Sequence, residues 1–191
     1  MKYYILFGPP GAGKGTQATA MTEKYGLRHI STGALLRKEI AAGTELGKKA
    51  HDLIEAGCLV PDEMVEAMIE AEFCKNEGVS GFLLDGFPRT LAQAEVLDRM
   101  LEKRGERVTS VLSLMIPDDM IFERIRHRAM IEGREDDASD ETIATRIATY
   151  HKKTEPLVSF YKETGKYQEV DGSGTIEDVR SKVFELLDNI D

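Results

Sequence analysis

Only two cysteines, Cys58 and Cys74, occur in 191 residues. Two are too few for a disulfide scaffold, and they lack the paired spacing of a structural zinc site. Long apolar runs are missing as well: none approaches the ~20 residues of a membrane span. Tyr3 to Phe7 stops at Gly8 with no signal-peptide cleavage pattern behind it, so the expected address is the cytoplasm. Basic residues are in deficit, 25 against 34 acids, for a net charge of −9. That balance excludes a general binder of nucleic acid or anionic membrane, while a local basic cleft stays allowed. Repeats, low-complexity tracts and heptads are absent too, so one core and a monomer are expected.

What is present alternates. Tyr3–Phe7, Leu27–Ile30, Gly81–Asp85, Val108–Ile116 and, more weakly, Tyr167–Val170 are short runs that read as strands. Between them lie segments of helical period, such as Val65, Ile69 and Phe73, or Ile176, Val179, Val183 and Leu187. Strands alternating with helices predict an α/β fold: a parallel five-stranded sheet with helices on both faces. Strands buried on both faces account for continuously apolar runs. Two regions depart from that rhythm. Residues 31–80 hold three helical segments in a row, divided at Gly43 and at Gly57–Pro61. Residues 129–141 are polar, break the helical pattern and read as a mobile loop.

Gly8-Pro9-Pro10-Gly11-Ala12-Gly13-Lys14 fits the G-x-x-x-x-G-K phosphate loop. In that pattern the glycines let backbone N–H groups turn around phosphate oxygens, the lysine adds a point charge, and the next helix presents its positive end. Gly15 stands where Ser or Thr is usual, with Thr16 one later. A Gly-rich turn is the bland reading, but the loop follows the best strand and opens a helix, as phosphate binding requires. Asp85 ends Phe82-Leu83-Leu84, either as a cap or as an acid near magnesium at a strand's end. Five of the twelve arginines (Arg124, Arg126, Arg128, Arg134, Arg146) fall within 23 residues. A salt-bridged surface helix accounts for Arg124 and Arg126. The others, around a loop near bound phosphates, suit the dispersed charge of phosphoryl transfer. Arg89 follows Asp85 at the same sheet edge, Thr90 and Gln93 have capping-box spacing, and Ser31 or Thr32 caps the helix carrying Arg37.

Taken together, Gly8–Thr16, Ile30–Arg37, Ala56–Asp62, Leu83–Thr90 with Gln93, Gly133–Asp137 and Glu141–Arg146 resemble the adenylate kinase family, over nearly the whole chain. The resemblance implies a P-loop NTPase-like kinase core (1–30, 61–126, 139–191), a helical monophosphate-binding insertion (31–60) and a short lid (127–138). It implies the reaction ATP + AMP ⇌ 2 ADP with Mg2+ carried on ATP, and, in a short lid, no structural zinc. By matching motif, Gly11, Ala12, Gly13, Lys14, Gly15 and Thr16 would hold the ATP phosphates. Arg128 would meet ATP, and Gly174 its base. Thr32, Arg37, Cys58, Leu59, Val60, Gly86, Phe87, Pro88, Arg89 and Gln93 would hold AMP, with Gln93 toward the adenine. Arg134 and Arg146 would bridge toward the AMP side, and Lys14, Arg89, Arg128, Arg134 and Arg146 would carry the catalysis. Ala34 stands where the family usually has Asp, and the loop after Asp137 is one residue longer than in common short-lid relatives.

No base is required, since the AMP phosphate is already an anionic nucleophile; catalysis reduces to alignment and charge neutralisation in a site closed to water. Two rival readings remain at this stage, a pyrimidine nucleoside monophosphate kinase and a non-catalytic nucleotide-binding module. A signalling GTPase would need an Asn-Lys-x-Asp motif, which does not occur.

Overall fold

The computed structural model describes residues 1–75, 78–134, 137 and 139–190. Glu135, Asp136 and Ala138, part of the expected lid, lie outside the described residues. Five strands form one sheet in the order β2-β3-β1-β4-β5, every pair parallel. They are β1 (Lys2–Phe7), β2 (Leu27–Ser31), β3 (Gly81–Asp85), β4 (Ser110–Met115) and β5 (Tyr167–Asp171). Alternate residues of the central strand divide between two cores. Tyr3, Ile5 and Phe7 pack with Phe73, Leu97, Leu101 and Tyr161. Tyr4 and Leu6 pack with Met21, Ile121, Ile125 and Val183. A strand with both faces buried has no polar side to show, which is why its run is apolar throughout.

The first core is covered by α2 (Thr32–Ala41), α4 (Asp62–Phe73), α5 (Leu91–Glu102) and α8 (Leu157–Glu163), with α3 (Glu45–Glu55) packed beside α2. The second is covered by α1 (Lys14–Tyr25), α6 (Asp118–Glu132), α7 (Asp140–Thr149) and α9 (Ile176–Asp188). A π-turn over Tyr150–Thr154 continues α7. Gly43 and Gly57–Pro61 do fall between the three helices of the 31–80 region. Residues 129–141 depart from expectation: Ala129 to Glu132 belong to α6, which stops at Gly133 in the left-handed region. Ala, Met, Ile and Glu sustain a helix by local propensity even where nothing buries them. Met130 and Ile131 indeed stand exposed, so no core periodicity marked the last turn.

Register sets the position of the functional edge. Leu6 and Ser31 both pair with Asp85, so the carboxyl ends of β1, β2 and β3 finish nearly level, while β4 pairs with Phe7 at Ser113 and runs on to Met115. The loops that leave β1 and β3 rise side by side there, the place where open parallel sheets take ligands. Among the described residues no helix is long and apolar enough to cross a membrane.

Candidate active site

Gly8 leaves β1 with φ +132°, and a Cβ on it would lie 2.3 Å from the Leu114 carbonyl oxygen of β4. Only glycine fits this close approach, and it turns the chain over the sheet edge. The loop ends at Gly13, which starts α1 without any side-chain cap. Lys14 folds back under the loop: its Nζ donates to the carbonyls of Gly8 (2.9 Å) and Pro9 (2.8 Å). Burial pulls its pKa down to about 8, and the charges of Arg89, Arg128 and Arg146 add to the effect while Asp85 opposes it. A buried ammonium with three guanidiniums and one carboxylate, Asp85, acting on it is short of negative charge, the condition a polyphosphate relieves.

Asp85, at the end of β3, lies 3.4 Å from His29 Nε2 on β2. Burial works against its charge, but the His29 hydrogen bond, Lys14 and Arg89 outweigh it and hold the carboxyl below its ordinary range. The next residues double back. Thr32 Oγ1 donates to the Gly86 carbonyl at 2.9 Å, and Arg89 Nε donates to the same carbonyl at 2.9 Å. The Arg89 carbonyl accepts from Thr154 Oγ1 at 2.9 Å. Burial and the neighbouring Arg146 lower the Arg89 pKa, a sign of cations gathered away from water.

On the opposite wall, Asp137 is buried and holds two arginines together. Its Oδ2 accepts from Arg128 Nε at 2.8 Å, and its Oδ1 accepts from Arg146. Arg134 pairs with Glu132, and Arg126 pairs with Asp140 on the surface. Arg124 corrects its expectation: among the described residues it makes no surface ion pair, but it donates to the Gly172 carbonyl at 3.0 Å and lines the cleft. Its position on α6 faces the β5 end, which the chain pattern alone does not reveal.

These walls enclose a cleft of about 970 Å³. Of the candidate residues, Gly11, Gly13, Lys14, Gly15, Thr16, Thr32, Arg37, Cys58, Leu59, Val60, Gly86, Pro88, Arg89, Gln93, Arg128, Arg134 and Arg146 line it. Ala12 and Phe87 are buried beneath the wall, and Gly174 lies beside Asp178 at the head of α9, where Ile176 is the residue that lines the cleft. Among the described lining residues, eight lysines and arginines accompany two carboxylates, Asp85 and Glu132. In a protein of net charge −9 such a wall selects a polyanion of small size.

A model of the adenylate kinase family matches residues 6–166. The chain belongs to the adenylate kinase family. It is 45% identical to the adenylate kinase of Flavobacterium psychrophilum, with 97% of this chain and 98% of that one aligned. It is 44% identical to that of Bacteroides thetaiotaomicron over the same shares, and 44% identical to that of Thermobifida fusca over 96% of each. This member is therefore a phosphotransferase, and its reaction is reversible phosphoryl transfer between ATP and AMP to give two ADP. The pyrimidine and non-catalytic alternatives are not favoured. Membership adds meaning to groups that the residue pattern alone did not single out. His29, Asp62, Asp137 and Thr154 each bond a residue of the cleft wall. All four lie far in sequence from the groups they serve or inside a run of similar charges, so only Asp137, an acid among arginines, carried a local signal.

Proposed function

We propose that this cleft joins two nucleotides head to head, ATP at the β1–α1 loop and AMP at the wall built from α2, Cys58–Val60 and the β3–α5 turn. The observation that carries this reading is the convergence of Lys14, Arg89, Arg128 and Arg146 on the lining of one cleft, above the level ends of β1 and β3. Loop N–H groups and Lys14 would grip the donor phosphates. Arg89, Arg134 and Arg146 would grip the acceptor and the transferring group, whose negative charge spreads in the transition state. The AMP phosphate oxygen attacks in line, its bond to phosphorus forms as the bridging bond of ATP breaks, and no proton need move. Residues 31–60 would act as the monophosphate-binding part and 127–138 as the lid, excluding water that would otherwise take the phosphoryl group.

The donor set fits magnesium brought in by the nucleotide. Glu132 is paired with Arg134, so among the described lining residues Asp85 is the one carboxylate for a cation. Magnesium keeps waters and phosphate oxygens as ligands, and a single acid can hold those waters. Bound with ATP, such an ion would neutralise phosphate charge, with Asp85 placed to hold its waters and Lys14 to complement it.

A coupled assay for ADP from ATP with AMP, CMP or UMP tests the assignment. AMP is the expected acceptor. Arg89→Ala should lose about 10²–10³-fold in kcat with an unchanged far-UV spectrum; near-full activity of that variant would refute the placement of the acceptor phosphate.

A further inference from the structure

Gln93 is only 2% exposed, yet it lines the cleft, and its amide is committed at both ends. Oε1 accepts the Arg89 backbone N–H at 2.7 Å, and Nε2 donates to Asp62 Oδ1 at 2.7 Å. A backbone N–H can only donate and a carboxylate can only accept, so these two partners allow one orientation of the amide. The flipped amide would set oxygen against carboxylate and NH2 against N–H, losing both bonds. Asp62 opens α4 behind the cleft wall and is absent from the lining. Thr90, which caps α5 by accepting the Gln93 N–H, lies 3.5 Å from its second oxygen.

We propose that Asp62 is a positioning residue that sets base selection at the acceptor site, by locking Gln93 in the orientation that suits an amino-bearing base. The inference rests on the reading that Gln93 faces the base of the acceptor nucleotide. With both inner contacts made, Gln93 has one N–H and one Oε1 lone pair left for a ligand, in fixed places. Adenine offers an amino donor beside a ring-nitrogen acceptor, which match. A 6-oxopurine offers a carbonyl acceptor beside a ring N–H, the same two groups exchanged. Because the phosphate is gripped by arginines, the base cannot slide to restore the match. Only an amide flip would admit it, and that flip is opposed by the Arg89 N–H and, more strongly because it is charged, by the Asp62 carboxylate. A site built to hydrogen-bond one pattern rejects the other strongly, since its buried polar groups are left unpaired. The same pattern ranks cytosine above uracil, within the limits of their smaller size.

The test compares kcat/KM for AMP and for inosine monophosphate in the wild type, Asp62→Asn, Asp62→Glu and Gln93→Ala, with thermal melts to monitor folding. Asparagine can turn either its oxygen or its NH2 toward Gln93, so Asp62→Asn should raise the inosine-to-adenosine ratio at least tenfold. Asp62→Glu, which keeps a carboxylate, should stay nearer the wild-type ratio. Asp62→Ala supplies the same comparison should the Asn variant fail to fold. A ratio within twofold of wild type, with both substrates declining in parallel, would reduce Asp62 to a structural prop. If Gln93→Ala shifts the ratio and the Asp62 variants do not, the lock alone is wrong. If Gln93→Ala leaves it unmoved, Gln93 does not face the base and the underlying reading fails too.

Discussion

Lys14 carries a charge where burial disfavours one, and its pKa of about 8 makes that tension measurable. ATP phosphates favour the protonated amine and raise its pKa in the complex. Below about pH 8 the amine is charged in both states, so affinity should be flat. Above it the free protein must take up a proton to bind, so ATP affinity should fall by about tenfold per pH unit for one linked proton. Calorimetric titration from pH 7 to 9.5 checks this, and Lys14→Met should bind weakly with no such slope. The stability of the unliganded protein should follow the reverse trend. An unfolded lysine holds its proton to about pH 10.5, the folded one only to about 8, so the cost of burying the charge recedes as pH rises through that window. Lys14 itself was legible at first sight, because the loop pattern is local. The arginines that depress it, Arg89, Arg128 and Arg146, were not, since they converge through folding.

Helix α6 serves the site both from the cleft wall and from beneath the phosphate loop. Ile125 is fully buried, and a Cβ on Gly11 would lie 3.1 Å from its Cγ1, so this side chain supports the underside of the phosphate loop. Ile125→Ala should cost about 2–5 kcal/mol in denaturant unfolding. It should also raise the KM for ATP more than the KM for AMP, a split that steady-state kinetics can read. The same helix presents Arg124 and Arg128 to the cleft and Arg126 to Asp140 on the surface. Residues two apart on a helix point in different directions, so the arginine run was bound to divide. Sequence spacing could not say which arginine faced inward, and Arg124 went to Gly172 rather than to a surface acid. The last turn of α6 escaped notice for a related reason: its apolar residues are exposed and follow no buried face.

At the scale of the whole molecule, a cleft of about 970 Å³ with cations on both walls suits the two anionic nucleotides of the reaction. A compound joining two adenosines through five phosphates should therefore raise the melting temperature more than ATP and AMP raise it separately, at equal saturation of each site. Differential scanning calorimetry measures this. A shift no larger than that given by ATP alone would place the second nucleotide outside the cleft. The buried Asp137 spans Arg128 and Arg146, so α6 and α7 are joined by charge as well as by packing.

Strand runs, glycine stops, the phosphate loop and the ordered motifs determined the α/β class and the family without any coordinates, because each depends on residues adjacent in the chain. Tertiary structure alone decided the strand order, the level ends of β1, β2 and β3, and the partners His29, Asp62 and Asp137. Parallel strands need long crossovers, so groups that meet at the sheet edge are separated by tens of residues, and no local pattern records which of them will touch.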